Sequence, residues 1–569
     1  MTSSGTRPRD DAVCPVDVLV VGAGPTGLAL AAQLTAFGVS VQVVDRKAHP
    51  VAESRALALQ PRTLEVLRGS VTERLLERGN PAVRLHWHAG GRTATLPLFD
   101  MGMDDTAYPF LLFLSQAETE QALVDHLAQH RVHVRWNTRL VEYATAPGGN
   151  LLCDLVEATG QHRHVEARYL VGCDGAHSTV RERAGIAFTG GRYPQTFLLA
   201  DTDAEGLEPD AAHVWFGANG PLFFFPLMRP ATWRLLTPRQ RSGSGESGRG
   251  GSVPDAPVDA GPVGFDELQS VVDNATSGKV RLATPVWSTA FQLHHRQAAT
   301  YRSGSVFLAG DSAHIHSPAG AQGMNTGIQD AVNLGWKLGL VCRGVAPQRL
   351  LDTYDLERRP VGAFVLRFTD RAFTAATSTS PVVRFARTHL APRGLTLAGM
   401  LPRARAFAFR TVSELSVRYP DTLGAADHLE EGHDPTAHRA GAETGRGLLR
   451  RLTNRAPHPR PGERLPDVRV DDGPQRRWFL DHLTDPAFHL LLCGSPEAWD
   501  QSALAEVTRR HGSLVRTHHV SQVTRDIAAH WGIHDHAHLL IRSDGHVAYR
   551  REDTDLSGAS AMLDRWLGS

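Results

Sequence analysis

The stretch DVLVVGAGPTGLALAAQLTAFGVSVQVVDR, from Asp17 to Arg46, decides the fold. Asp17–Val21 is a short apolar, β-branched run and reads as a buried strand. Gly22, Gly24 and Gly27 follow in G-x-G-x-x-G spacing, with Pro25 and Thr26 between the last two. Leu28–Phe37 has helical periodicity, Gly38 stops it, and Val39–Val44 is a second strand running into Asp45 and Arg46. Gly22 permits a tight turn, Gly24 lets backbone N–H groups approach a pyrophosphate, and Gly27 lets the helix lie close to the strand. Asp45, about 20 residues further on, is placed to accept from a ribose hydroxyl. Together these features predict a Rossmann-like dinucleotide site, and leave NAD and FAD both open.

Two later stretches extend the pattern. In YLVGCDGAHSTVR, Tyr169–Arg181, an apolar strand runs straight into Asp174-Gly175. In VFLAGDSAHIHSP, Val306–Pro318, another runs into Gly310-Asp311. Asp-Gly is also an ordinary strand-ending turn. Two strand-to-acid turns beside a Rossmann start nonetheless fit a ligand with two sugars and a long linker.

The 569 residues are too many for one ordinary domain. Lys plus Arg and Asp plus Glu both number 60, so the formal net charge is +0. That balance speaks against a nucleic-acid protein, whose phosphate contacts need excess basic residues. The five cysteines, Cys14, Cys153, Cys173, Cys342 and Cys493, are far apart and form neither a CxxC pair nor a zinc spacing. A reduced cytosol is the simplest compartment. The first residues are polar without an apolar signal core, and no apolar run approaches the roughly 18 residues of a membrane span. A soluble cytoplasmic protein is expected, with no metal and no membrane partner.

With SRALALQPRTLEVL (Ser54–Leu67) and LAGDSAHIHSPAGAQGMNTGIQDAVNLGWKL (Leu308–Leu338), these stretches resemble the flavin-dependent aromatic hydroxylases related to p-hydroxybenzoate hydroxylase and phenol hydroxylase. The likeness is nearer the longer branch that acts on polyketide aromatics, rifampicin and chlorophenols, and it spans most of residues 15–365. It implies bound FAD, transient NADPH or NADH, molecular oxygen, and hydroxylation of an aromatic small molecule through a flavin C4a-hydroperoxide. Residue by residue, Gly22, Gly24, Pro25, Thr26 and Gly27 match the turn at the AMP end, and Asp45 with Arg46 the ribose acid and its neighbour. Arg55 and Gln116 match positions that touch the linker and ribityl chain. Asp174 and Gly175 match the second fingerprint, and Gly310 and Asp311 the turn that holds the ribityl hydroxyls. The residues alone also allow Arg55 and Arg62 as a solvated basic face, and Gln116 as a cap of the helix whose body is Thr119–Gln129.

The resemblance places the isoalloxazine ring against Pro318, Gly320, Gln322, Gly323, Met324 and Asn325. Prolines and glycines there cannot continue strand or helix. Met324–Leu340 then has helical periodicity. A helix starting at the ring offers free N–H groups and a positive end to the pyrimidine edge of the reduced flavin. The family usually has two glycines where this chain has Gly320-Ala321. Left-handed backbone costs Ala about 1–2 kcal/mol, so a negative φ at Ala321, or a slightly different loop path, is expected. His314 and His316 share a face with no acid at motif distance, which reads as packing and hydrogen bonding. Cys173 and Ser312 read as small residues near the ligand. No side chain identifies itself as the catalytic base.

AHVWFGANGPLFFFPLM (Ala212–Met228) carries an Asn-Gly hairpin signal, and VRLHWHAGGRTATLPL (Val83–Leu98) a second hairpin at Gly90-Gly91. Phe223 and Phe225 are candidates to meet an aromatic substrate, although such phenylalanines are more often core. Residues 241–264 are Gly/Ser/Pro-rich and read as a surface loop. AFHLLLCGSP and AHLLIRSDGHVAYRRE flank a helical pattern and look like the thioredoxin-like tail of the longer hydroxylases, without CxxC. The expected architecture is α/β. A discontinuous Rossmann-like FAD-binding domain covers 1–80, 116–185 and 286–400. A β-sheet substrate domain covers 81–115 and 186–285. A helical segment and linker follow at 401–460, then a thioredoxin-like domain at 461–569. A homodimer stays open. A Baeyer–Villiger or epoxidising enzyme and a non-catalytic flavin-binding module are the alternatives on the same motifs.

Overall fold

The computed structural model describes residues 15–50, 56–82, 84–97, 103–217, 220–228, 231–239, 263–317, 321–378, 380, 382–383, 406, 409–423, 459–472 and 475–567. Arg55, Pro318, Gly320, most of the 241–264 stretch and most of 401–460 lie outside them.

Apolar β-branched runs with no polar alternation need cover on both faces, as in a parallel sheet. Val16–Val21 is such a run. It pairs in parallel with Val41–Val44 on one side and with His162–Gly172 on the other. His162–Gly172 in turn pairs in parallel with Val306–Leu308. The register places Val21 opposite Gly172, and Gly172 opposite Leu308. The three strands therefore end level, and their turns leave the sheet at one carboxyl edge, where open α/β sheets bind ligands.

Helices Pro25–Ala36 and Gly323–Cys342 pack together on this sheet. Their backbones come close because the second helix turns glycines toward the first. A Cβ at Gly335 would lie 2.6 Å from Gln33 Cβ, and one at Gly339 2.5 Å from Phe37 Cγ.

The second sheet has eight strands. Its order is His314–Ile315, Trp287–Ala298, Phe188–Thr202, Trp233–Pro238, Gly220–Pro226, Ala211–Gly217, Arg84–Ala89 and Arg92–Pro97. Both expected hairpins form: Ala211–Gly217 with Gly220–Pro226, and Arg84–Ala89 with Arg92–Pro97. Gly90 and Gly91 have φ of 57° and 74°, as a two-residue turn matching strand twist requires. One face packs Phe224, Trp233 and Leu235 against Leu268 and Val272 of helix Phe265–Thr276. The other carries Phe197, Phe291 and Leu293, with Phe373 of helix Asp352–Thr377 against them. Sheet membership moves one expected boundary: Trp287–Ala298 and His314–Ile315, placed in the 286–400 segment of the flavin domain, belong to this second sheet. Twelve-residue Trp287–Ala298 is long enough to pair along Phe188–Thr202 and then return the chain to the first sheet.

At the C-terminus, Phe488–Cys493 pairs in parallel with Val515–Val520 and antiparallel with Ala537–Ile541, which forms a hairpin with Val547–Arg551 through the Asp544-Gly545 turn. Helices Gln501–His511, Arg525–Trp531 and Ser557–Trp566 complete a thioredoxin-like α/β domain. Cys493 is fully buried, and burial pushes its thiol up to about 12.

This domain shares a core with the flavin domain, Trp336 meeting Phe488 edge-on at 5.7 Å. Buried ion pairs cross the same boundary: Arg542 to Glu357 at 2.9 Å, Arg464 to Glu65 at 2.5 Å and Arg68 to Asp467 at 3.0 Å. Burial alone would raise Glu357, but Arg542 and Lys337 outweigh it and hold its carboxyl at about 2. Arg62 belongs to this boundary, which corrects the reading of it as a solvated basic face. It is 2% exposed and donates to Asp544 O at 2.5 Å and Glu65 Oε2 at 3.1 Å.

Among the described residues, no helix is long and apolar enough to cross a membrane, and no group of three or more His, Cys, Asp or Glu is placed to hold a metal.

Candidate active site

The three level turns build one site. Gly22 adopts φ of 107°, and a Cβ there would collide with the carbonyl of Cys173, so the first turn rests directly on the second. A Cβ on Gly27 would collide with Gly22 O, which is the close helix–strand approach expected of the third glycine. Gly24 differs: a Cβ there would meet nothing within 4 Å. The space lies where the pyrophosphate is expected, at the start of the Pro25–Ala36 helix. Asp45 is 7% exposed and closes the turn from below, Oδ2 accepting from Ala23 N at 2.7 Å and Oδ1 from Lys47 N at 2.8 Å. Arg46 is exposed.

Thr26 fits between the third turn and the long helix. A Cβ at Gly310 would come 2.5 Å from Thr26 Oγ1, and one at Gly327 would collide with the same atom. Asp174 accepts from Val180 N at 3.2 Å through Oδ2, while its Oδ1 is buried without a hydrogen-bond partner. Burial raises this carboxyl above its ordinary range, more than the Ser178 hydroxyl and backbone N–H groups lower it. Gly175 has φ of 83°. Arg181 joins the second turn to the third, donating to Ala176 O at 2.9 Å and Ser312 O at 3.1 Å. Ser312 does more than stay small: its hydroxyl donates to Gly172 O at 2.5 Å. Asp311 presents an exposed side chain at the tip of its turn.

The long helix begins at Gly323, with Gln322 as its N-cap and Met324 and Asn325 in its first turn. Its first N–H groups have no intrahelical acceptors. Asn325 has a second task, because its side chain accepts from Gln60 N at 2.9 Å and donates to Ala58 O at 2.8 Å and Ala321 O at 2.7 Å. It ties the 56–60 segment to the helix start. Ala321 has φ of 54°. The expected negative φ is therefore corrected: the chain keeps the left-handed bend and bears the alanine's strain. Gln116 is the first residue of helix Gln116–Gln129, and its N–H reaches Ala56 O at 3.3 Å. Ser115 caps that helix through Glu118 N at 3.2 Å, so the alternative of Gln116 as the cap is corrected.

Phe225 and Ala321 both pack against the buried cluster of Leu57, Ala58, Phe113 and Ala212, and Phe225 stacks on Phe113 at 5.6 Å; Phe223 lies parallel to Phe225 at 5.7 Å and 6°. Phe224, one residue between them, faces the opposite side and is fully buried.

Three groups were not legible in the motifs: Asp330, Glu414 and the Tyr193–Asp370 pair. Asp330 meets His314 Nε2 at 2.7 Å and Arg358 Nε at 2.6 Å. It is the acid that His314 lacked in the sequence, supplied from the long helix. Glu414 is 3% exposed with a left-handed φ of 59°. It accepts from Thr326 Oγ1 at 2.7 Å and from Gln329, and burial pushes its carboxyl up to about 7. Tyr193 donates to Asp370 Oδ1 at 2.7 Å. His316 has its Nδ1 3.0 Å from Ser317 O, and burial holds it down at about 4.

Three turns at one carboxyl edge, room at Gly24, an unsatisfied Asp174 oxygen and a helix start facing the same edge fit FAD. Fold and site define a two-sheet flavoprotein with an appended thioredoxin-like domain. Residues 15–369 match the FAD binding domain family, and residues 458–569 the C-terminal domain of aromatic-ring hydroxylases. A 6-methylpretetramide 4-monooxygenase of Streptomyces rimosus is 33% identical over 96% of this chain and 92% of its own. A rifampicin monooxygenase of Streptomyces venezuelae is 31% identical over 94% of this chain and 96% of its own. The solved anhydrotetracycline hydroxylase of Streptomyces rimosus superposes with a TM-score of 0.72 at 27% identity, covering 98% of this chain and all 100% of its own. The protein belongs to the FAD-dependent aromatic-ring hydroxylases and is a flavoprotein monooxygenase.

Proposed function

We propose that the enzyme hydroxylates a flat, multi-ring phenol of polyketide type, with NADPH or NADH as reductant. The carrying observation is the pair of half-buried rings Phe225 and Phe223, parallel at 5.7 Å, with Phe225 packed against the same buried cluster around Phe113 as Ala321 of the expected flavin loop. Aromatic faces gain about 0.5–1.5 kcal/mol per stacked pair beyond the area they bury. A pair of them favours several fused rings over one. Similarity to oxygenases named for 6-methylpretetramide, rifampicin and anhydrotetracycline points the same way.

When bound and reduced, FAD supplies the electrons that split O₂, delivering one oxygen atom to the ring and the other to water. The protein's own residues do the remaining work. Gly24, Thr26 and Asp45 would hold the adenosine end, Asp174 and Asp311 the sugar and ribityl chain. The first turn of Gly323–Cys342 would give N–H groups to the ring's pyrimidine edge, and preorganised donors of this kind stabilise developing negative charge. The second sheet and helix Asp352–Thr377 would keep water from the apolar face where the substrate lies.

The test is turnover with a panel of one-ring and multi-ring phenols under ¹⁸O₂, read by product mass and NAD(P)H consumption. One labelled ring hydroxyl on a multi-ring product is expected. Preference for one-ring phenols would refute the substrate class. Label inserted as a lactone or ester would replace hydroxylation with Baeyer–Villiger chemistry.

A further inference from the structure

Asp330 lies in the long helix, fully buried, and three donors converge on its carboxylate. Oδ2 accepts from Gly310 N at 3.1 Å and lies 2.7 Å from His314 Nε2. Oδ1 accepts from Arg358 Nε at 2.6 Å. Burial would raise this acid, but Arg358 and His314 hold it low, so it stays ionised. Arg358, equally buried, donates at the same time to Thr326 O at 3.0 Å and Tyr419 Oη at 3.1 Å.

One carboxylate–guanidinium pair thus connects two separate pieces of chain. The first is the Gly310-Asp311 turn after its strand. The second is the opening turn of the long helix at Thr326. Gly310 sits at φ of 64°, with Thr26 closing the side where a Cβ would go. Its N–H direction is set by Asp330, and Asp311 follows immediately. A buried ion pair is weak evidence for stability, since well-packed apolar residues often serve as well. Its geometric effect is specific: it fixes the distance between a turn and a helix start that no continuous element joins.

We propose that Asp330, with His314 and Arg358, is the positioning group for the Gly310-Asp311 turn, and through it for the ribityl end of FAD. The inference rests on the reading of Asp311 as a ribityl ligand. None of the three need touch the cofactor.

FAD is removed from the full-length protein and titrated back, and its Kd and the visible spectrum of the bound flavin are recorded. The variants are Asp330→Asn, His314→Leu, His314→Gln and Asp311→Ala, each with its thermal midpoint. Loss of a hydrogen bond to a charged group is worth about tenfold or more in affinity. Asp330→Asn and His314→Leu should therefore raise the FAD Kd about tenfold and shift the flavin band. His314→Gln, which keeps a donor for Asp330, should recover most of both at a similar thermal midpoint. Where Asp330→Asn leaves Arg358 unpaired and does not fold, the His314 pair decides. Equal behaviour of His314→Gln and His314→Leu would overturn the inference. So would unchanged Kd and spectrum in Asp330→Asn and His314→Leu while Asp311→Ala has lost affinity. Full affinity in Asp311→Ala would overturn the ribityl reading itself, and the inference with it.

Discussion

Glu414→Gln should stabilise the enzyme at alkaline pH and leave it nearly unchanged in acid. Glu414 is buried between Thr326 and Gln329, with its backbone at φ of 59°. Burial moves its carboxyl from an ordinary 4.5 to about 7. At about 1.4 kcal/mol per tenfold change in proton affinity, that displacement is worth roughly 3 kcal/mol. The sign follows from linkage. Between about 4.5 and 7 the folded protein binds this proton and the unfolded chain does not, so the contribution is present below 4.5 and is lost as pH rises through 7. Glutamine keeps the shape and cannot ionise. Its carbonyl accepts from Thr326, and a flip of the Gln329 amide presents an oxygen to its NH₂. Urea unfolding of wild type and Glu414→Gln across pH 5–9 measures the difference. The variant should gain stability over wild type as pH rises, by roughly 3 kcal/mol at the top of the range. A stability difference independent of pH would show that the carboxyl titrates normally and that the burial argument fails.

Gly24→Val puts a branched side chain into the open space above the first turn and should purify with little FAD while retaining the far-UV CD of the wild type; full flavin occupancy would refute the pyrophosphate reading. Ala321→Gly removes left-handed strain of about 1–2 kcal/mol but adds about 0.4–1 kcal/mol of unfolded-state entropy, so urea unfolding should register a gain of up to about 1.6 kcal/mol, and a loss would show that the alanine methyl matters more than the bend. Cys493→Ser should leave turnover within about twofold, because the thiol is buried and, among the described residues, every cysteine is free, so only local packing changes. Activity that follows the oxidation state of that thiol would contradict this.

What was legible in the sequence is what the backbone writes locally. Gly22, Gly27 and Gly310 announce their turns because each must bring main chain within contact of another element. The hairpins at Gly90-Gly91 and Asp544-Gly545 are equally local. The solvated face that the residues allowed for Arg62 fails because its partner Asp544 is 482 residues away in the chain. A motif cannot announce an acid that only tertiary packing delivers, and Asp330, Glu414 and Asp370 are all of that kind. Ala321 shows the reverse failure. The local cost was judged correctly, but Asn325 holding Ala321 O from the helix start keeps the bend in place.

The glycines that let Gly323–Cys342 lie against Pro25–Ala36 make the two helices a single rigid strut. One end of the strut begins at the turn expected to take the pyrophosphate, and the other helix begins where the ring is expected. The spacing between those two helix starts is held by the close fit of Gly335 and Gly339 against the Gln33 and Phe37 side chains. A side chain at Gly335 or Gly339, far along the helix from either start, would push the helices apart and so move the pyrophosphate turn relative to the ring end.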